Sequence, residues 1–455
     1  LNATQIVKID QADQSEDRIE QHTMALESST LTFSNLDKQA DGRTYTFRME
    51  GTHVTYANTL RRLILTGVET VAFRSDMTST GTTTDVIIKR NDTPMTNEML
   101  ADRIGLIPIH VSDPLHWKGD NYIFHLKVSG TKDQTTFVKA GDFKVIDISK
   151  KVEQPVDEDG FDEKADETGL LLRTSDFFPS SPLTGDTCLI ATLQPGSGAT
   201  LQSIELVAKA TRGTGREHAR FMPVSQCTYE YTLDTDEKRR EEMFMKWLSV
   251  TKKVGGIDKE SDHYQQLLRE FNTMQVKRCF KMNEKGEPNS FDFTIESVGI
   301  LPVSYIVGQA CEVGENMCGR YANLDKSTPL PSDLSISSSD SRIIGYDFLF
   351  RGHDHTLGNL LQTWLVEHHI EGTASPKITY AGYSVPHPLR DEMILRVGVE
   401  DGEEGTARQA VAEAARGCVR MFQEMRAGWK GLLGEATTVR KATSTVRRRT
   451  PVIAK

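Results

Sequence analysis

The chain has 455 residues, 37% apolar and 26% charged, with a formal net charge of −10. That length suggests about three domains. No apolar run approaches the ~18 residues of a membrane span, and the acidic balance excludes a surface built throughout for nucleic-acid phosphates. The six cysteines are scattered without a CxxC pair, which fits a reducing intracellular compartment better than a disulfide framework.

The first 27 residues lack the basic-then-apolar order of a signal peptide and read as a polar arm. Thr44–Glu50 (TYTFRME) alternates Tyr45, Phe47 and Met49 with polar residues, the period of a half-buried strand. GTHVTYANTLRRLILTGVET follows as a helix with Val54, Ala57, Leu60, Ile64 and Val68 on one face; Arg61 and Arg62 leave that face. From Trp117 to Thr235 short strand-like runs alternate with loops. Within that region Asp157, Asp159 and Asp162 lie in VDEDGFDEKADETG. An EF-hand needs a glycine after its third acidic ligand position and a closing glutamate, and this register has neither. A catalytic aspartate triad for nucleotidyl transfer would want a tighter order, so the stretch reads as a solvated acidic loop.

TRGTGREHARFMPVSQCTYEY (211–231) holds Gly213 and Gly215 ahead of His218, one residue short of a dinucleotide fingerprint and without its strand-turn-helix setting. Glu217 and His218 could form an acid/base pair, but no nucleophile accompanies them, and a structural or docking role is expected. Residues 234–290 are charged and helical in character, an elaborated excursion. Phe291–Ser297 is again a strand. Pro302 then opens a helix whose Val303, Ile306, Ala310, Val313 and Met317 repeat at 3,4,3,4 spacing. Asn323–Ser341, rich in Ser, Pro and Asp, reads as a linker.

Asp354 is placed to cap a helix carrying Leu357, Leu360, Leu361, Trp364 and Leu365 on one stripe. Gly358 and Asn359 are poor helix formers in its first turns, so something is expected to pack very close to them. Strands are expected over 377–382 and 393–400, separated by Pro386-His387-Pro388, which cannot continue a ladder. Ala407, Val411, Ala414, Cys418, Met421 and Met425 form a second heptad seam on a helix of about 24 residues. The chain ends on a basic stretch, 436–455, which holds no acid. The histidines at 353, 355, 368, 369 and 387 read as turn and cap residues, because metal ligands on a helix want i, i+4 spacing.

The two halves repeat one order: strand, helix with Asn-x-Leu, strand, heptad helix. Asn58 and Asn359 lie 301 residues apart. A small unit with one apolar helical seam cannot bury that seam alone; two such units can bury it against each other about a pseudo-twofold axis. Burying ten seam side chains contributes on the order of tens of kcal/mol before entropy, the scale of an obligate interface.

NTLRR (58–62), NEMLADRIGLIPI (97–109), GREHARFMPV and FTIESVGILPVSYIV resemble the large alpha-like subunit of multisubunit RNA polymerases, the counterpart of bacterial alpha. HDHTLGNLL (353–361), AGY (381–383), PHPL (386–389) and ILRV (394–397) resemble its small alpha-like partner. The resemblance implies an α+β fold: two alpha-like dimerisation modules pairing intramolecularly by pseudo-twofold symmetry, the first split by a β-rich inserted domain. The division would be an arm at 1–27, a split large module at 28–71 and 288–322, the insert at 72–287, a linker at 323–342, the small module at 343–435 and a tail at 436–455. Fusion makes pairing intramolecular, at an effective concentration of order millimolar; it is the kind expected of a compact genome such as a large DNA virus.

The resemblance also implies a non-catalytic assembly platform of DNA-directed RNA polymerase. Its partners would be the two largest subunits and small accessory subunits, with DNA and RNA met only through the complex and no membrane contact. Asn58, Arg61 and Arg62 match the helix that faces the second-largest subunit in the family. The dimerisation set is Leu60, Ile64, the two seams, Leu357, Gly358, Asn359, Leu361 and Trp364. Glu217, His218, Pro386, His387 and Pro388 match structural motifs. Many relatives carry a four-cysteine zinc loop or an iron–sulfur cluster in the insert, but residues 72–187 hold no cysteine, so neither a metal nor a cofactor is expected. The location would be intracellular: the nucleus, or a viral factory in the cytoplasm with packaging in the virion. Two other classes stay open, a metal-dependent nucleotidyl transferase using the three aspartates and a free-standing scaffold or regulator using the basic tail on DNA.

Overall fold

The computed structural model describes residues 31–76, 85–150, 169–196, 201–326, 329–339 and 342–434. The polar arm, the acidic stretch with Asp157, Asp159 and Asp162, and the basic tail lie outside them. The helices and separate sheets make an α+β fold.

Two four-stranded antiparallel sheets, built alike, anchor the molecule. Labelling the strands of these sheets and the helices that bear on the argument, the first comprises β1 (Thr32–Lys38), β2 (Thr44–Glu50), β3 (Val224–Tyr231) and β4 (Ser290–Ser297), in spatial order β1-β2-β4-β3. Helix α1 (Val54–Thr66) follows β2. Helices α2 (Glu237–Trp247) and α3 (Asp262–Glu270) interrupt the path from β3 to β4, and α4 (Val303–Gly319) follows β4. The second sheet holds β5 (Leu334–Ser338), β6 (Gly345–Arg351), β7 (Tyr380–Ser384) and β8 (Glu392–Gly398), in order β5-β6-β8-β7. Helix α5 (His355–Leu365) follows β6 and α6 (Glu404–Leu432) follows β8. The two orders are the same.

The repeat reaches single residues. Gly51 and Gly352, separated by the same 301 residues as the two asparagines, both turn the chain from strand to helix at φ +76°, where a side chain would be strained. Two residues later His53 and Asp354 each accept the amide of a threonine, Thr55 and Thr356, as N-caps.

One continuous core fills both units, from Phe47, Leu60 and Phe293 through Ile306 and Ala310 to Leu361, Val411 and Phe422. Helices α4 and α6 cross tightly. A Cβ on Gly314 would sit 2.6 Å from the Phe422 ring, and one on Gly417 would sit 2.2 Å from Trp364. Glycine at 314 lets α4 and α6 approach, and glycine at 417 lets α6 lie against the Trp364 ring of α5. The end of α6 reaches into the first unit, where Trp429 is 1% exposed. Its ring packs 4.9 Å from Phe47 and its Nε1 donates to the Ser304 carbonyl at 3.0 Å.

The insert has its own core around Phe73, Phe124, Phe143 and Phe178, between the helix Asn97–Gly105 and a five-stranded antiparallel sheet. Its expected limits, 72–287, need correcting. Strand β3 pairs with β4 in the first module's sheet, because Val224 and Cys227 turn into the shared core. Helices α2 and α3 form a third small core around Phe244, Trp247 and Phe271. The linker also needs correcting: β5 lies within 323–342, with Leu334 buried beneath the second sheet and its ladder made to β6. The strand expected at 377–382 forms three residues later as β7, since the Ile378 amide goes to the His369 carbonyl.

The seams are wider than the heptad spacing implies. On α4, Val303, Ile306 and Ala310 are buried, but Val313 and Met317 are half-buried while Cys311, Gly314 and Cys318 are fully covered. A straight α-helix drifts ~20° per heptad from a 3.5-residue repeat, which carries Val313 and Met317 toward the rim of the buried face. On α6 all six seam residues are buried, together with Ala410, Ala415, Phe422 and Trp429, and the helix runs to 29 residues.

Candidate docking surface

The contact between α1 and α5 is reciprocal. Arg62 Nε donates to Thr356 Oγ1 at 2.8 Å and its Nη2 to Asp354 Oδ2 at 3.2 Å. In the other direction Thr363, which stands where Arg62 does, donates to Thr55, which stands where Thr356 does, at 3.1 Å. Residue i of one unit meets residue j of the other, and j meets i, as an isologous pair requires. Asn359 also donates to Thr55, at 3.3 Å, and a Cβ on Gly358 would lie 2.4 Å from the Tyr383 ring. Leu60, Ile64, Leu357 and Leu361 are all buried in the common core, and Trp364 stacks on His368.

Burial alone would raise the Asp354 carboxyl. The hydrogen bonds from Thr356 and the positive charges of Arg62 and Arg216 outweigh it and hold the group below the usual carboxylate range. Arg216 adds a second tie, donating to the Gly352 carbonyl at 2.7 Å and pairing with Asp391. Tyr56, on α1, donates its phenol to Glu367; burial first, then that carboxylate, pushes the phenol well above its ordinary value.

Arg61 points elsewhere. Its Nε donates to Asn58 Oδ1 at 2.9 Å, and both residues line a groove of about 750 Å³ beside β3, with Cys227, Tyr229, Tyr231 and Lys277. The three residues expected to dock a large subunit are therefore split. Asn58 and Arg61 stand together on the outside, while Arg62 is bound to the second unit.

Glu217 and His218 are held in scaffold contacts. Arg74 grips Glu217 through two bonds of 2.6 and 2.8 Å, which keeps that carboxyl below its usual range. His218 Nδ1 accepts the Arg220 amide at 3.1 Å, and Arg220, its side chain 4% exposed, donates to the Phe73 carbonyl. A Cβ on Gly213 would strike the Phe221 ring at 2.6 Å, and one on Gly215 the Leu65 carbonyl at 2.2 Å. These glycines serve close packing. His387 accepts the Leu389 amide in the turn formed by Pro386 and Pro388. Among the described residues no group of three or more His, Cys, Asp or Glu side chains is placed to hold a metal ion, and no helix is long and apolar enough to cross a membrane.

Against this geometry, the RNA polymerase Rpb3/Rpb11 dimerisation domain matches residues 46–318 and, separately, residues 346–427. The chain belongs to that family twice over. The two matches are the two units just described, joined in one polypeptide. Subunit RPAC1 of DNA-directed RNA polymerases I and III from Homo sapiens is 26% identical over 306 residues, covering 62% of this chain and 81% of that protein. DNA-directed RNA polymerase subunit Rpo3 of Pyrococcus furiosus is also 26% identical over 306 residues, covering 64% and 97%. Rpo3 of Methanopyrus kandleri is 42% identical over a 76-residue stretch, 17% of this chain and 24% of that protein.

Two histidines give the paired domains a pH dependence. His369, 2% exposed, places Nδ1 2.8 Å from the Pro376 carbonyl oxygen, and His353 Nε2 lies 2.8 Å from the Tyr321 hydroxyl. Burial pushes both imidazoles below the ordinary histidine value; for His353 the Asp333 carboxylate only partly offsets it. The unfolded chain then binds more protons than the folded one, so this contribution is complete above the unfolded value of ~6.5 and is lost as pH falls through the lowered folded values. The melting temperature is expected to drop between pH 7 and pH 5. His369→Asn, which keeps a donor for Pro376, should flatten part of that slope; an unchanged slope would remove His369 from the account.

Proposed function

We propose that this chain is the complete alpha-like platform of a DNA-directed RNA polymerase, a non-catalytic subunit on which the two largest subunits assemble. The observation that carries the reading is the pairing of two Rpb3/Rpb11 dimerisation domains within one chain, with their helical seams already buried against each other. What remains for other subunits is the outer surface, first the Asn58–Arg61 face of α1, for the second-largest subunit. DNA and RNA would be met through the assembled enzyme, in the nucleus or in a viral factory. Fusion of the pair suits a compact genome such as that of a large DNA virus.

Arg61 and Arg62 separate docking from folding. Co-expressed with the second-largest subunit from the same source, the Arg61→Glu chain should retain at least tenfold less of it than wild type while melting at the same temperature. Arg62→Glu places a carboxylate against Asp354 and should lower the melting temperature first. Retention unaffected by Arg61→Glu would move the docking face away from α1.

A further inference from the structure

The two sheets differ in how they close the strand beside their Asn-x-Leu helix. In the second unit β7 is that edge strand, and the Tyr383 amide on its open side is taken by Gln362 Oε1 of α5 at 3.0 Å. The register places Tyr229 of β3 where Tyr383 stands, since Tyr229 pairs with Phe293 as Tyr383 pairs with Leu395. The residue of α1 at the place of Gln362 is Arg61. A guanidinium has no acceptor to offer an amide, and Arg61 turns to Asn58 instead. The first unit thus lacks the side-chain cap that closes the second.

The direction of the β3 amides follows from its end. The Thr232 amide donates to the Ser290 carbonyl at the start of β4. Amides alternate sides along an antiparallel strand, so those of Tyr231, Tyr229 and Cys227 face the open side. Just beyond, the Asp234 amide bonds the Cys279 carbonyl and Leu233 bridges Phe280, which closes the edge there. The open stretch is the floor of the 750 Å³ groove.

Sheet edges ordinarily carry protection: short length, lysine, proline or a bulge. Strand β1 has a bulge and ends on Lys38, and β5 and β7 are five residues each. Strand β3 has eight residues, its irregularity lies at its first turn between Val224 and Gln226, and it contains neither lysine nor proline. Arg61 and the exposed Lys277, both at the groove, form no ion pair among the described residues, although the Glu230 side chain lines the same groove.

We propose that β3 receives an extended segment of the catalytic subunit that docks on α1, added as a fifth strand to the first sheet. The segment pairs with the outward amides and carbonyls between Cys227 and Tyr231. It carries carboxylate side chains for Arg61 and Lys277 and apolar ones for the rings of Tyr229 and Tyr231. Main-chain bonds supply the affinity and the alternate side chains the selectivity, as in other cases of strand addition. The inference rests on the platform reading and deepens it by naming how the partner is held.

Hydrogen exchange of the full chain, alone and in complex with the second-largest subunit, tests it. About half of the amides between 225 and 232, the outward set, should slow by at least a hundredfold in the complex, while those of β1 stay as they were. Tyr231→Pro removes an outward N–H at an edge position that tolerates proline; it should bind at least tenfold more weakly than Tyr231→Ala, which removes the ring alone. A complex that forms with the exchange of 225–232 unchanged, or with both variants binding equally, would overturn strand addition and leave the platform reading standing. No complex with the wild-type chain would overturn both.

Discussion

Trp429→Ala is expected to cost about 3–5 kcal/mol, a large share of the ~5–15 kcal/mol that holds a typical domain together. The indole comes from the second dimerisation domain but lies in the core of the first, against Phe33 and Phe47, with its N–H on the Ser304 carbonyl. Truncation leaves a cavity between the domains and removes the bond that ties the end of α6 to the first turn of α4. Because that cavity belongs to both, urea unfolding followed by fluorescence and by circular dichroism should shift as one transition. A variant whose first domain unfolds at the wild-type midpoint would show that the domains are stable separately and only touch.

Gly417→Val should be nearly as damaging, by overpacking. The added side chain must occupy the space of the Trp364 ring, which stacks on His368 and cannot swing away freely. Overpacking in a tight core costs about 1–3 kcal/mol and occasionally more. The cause is shown by coupling: Gly417→Val combined with Trp364→Leu should be more stable than the sum of the two single losses by at least ~1 kcal/mol, as contacting residues allow. Strict additivity would place the strain elsewhere in α6.

Much of this arrangement was legible in the sequence because it is written twice. The glycine turn, the cap and the Asn-x-Leu helix recur at one offset, and a repeated amphipathic unit has to find its own kind. The positions lost were those whose partner is distant in the chain. Strand β5 carries a faint alternation, Leu334 and Ile336 against serines, but an edge strand with a single buried residue looks much like a serine-rich linker. Strand β3 belongs to a sheet whose next strand begins only after 58 intervening residues and two helices. Adjacency in sequence therefore assigned it to the insert.

Arginine patterning also has a limit. Arg61 and Arg62 are neighbours on one helix and look interchangeable in a string of letters. Successive helical residues point ~100° apart, so one arginine meets Thr356 and Asp354 while the other faces the groove. The signal that could have separated them is the repeat itself. Arg62 aligns with Thr363, which faces the partner helix, and Arg61 aligns with Gln362, which faces the edge strand.

The most direct test of the platform is stoichiometric. The two largest polymerase subunits from the same source would be co-expressed with this chain and with no separate small alpha-like subunit, and the product weighed by size exclusion with light scattering. A complex with one copy of each of the three chains is the predicted result, since each copy already contains both paired domains. Two copies of this chain per complex, or assembly only when another alpha-like subunit is added, would contradict it.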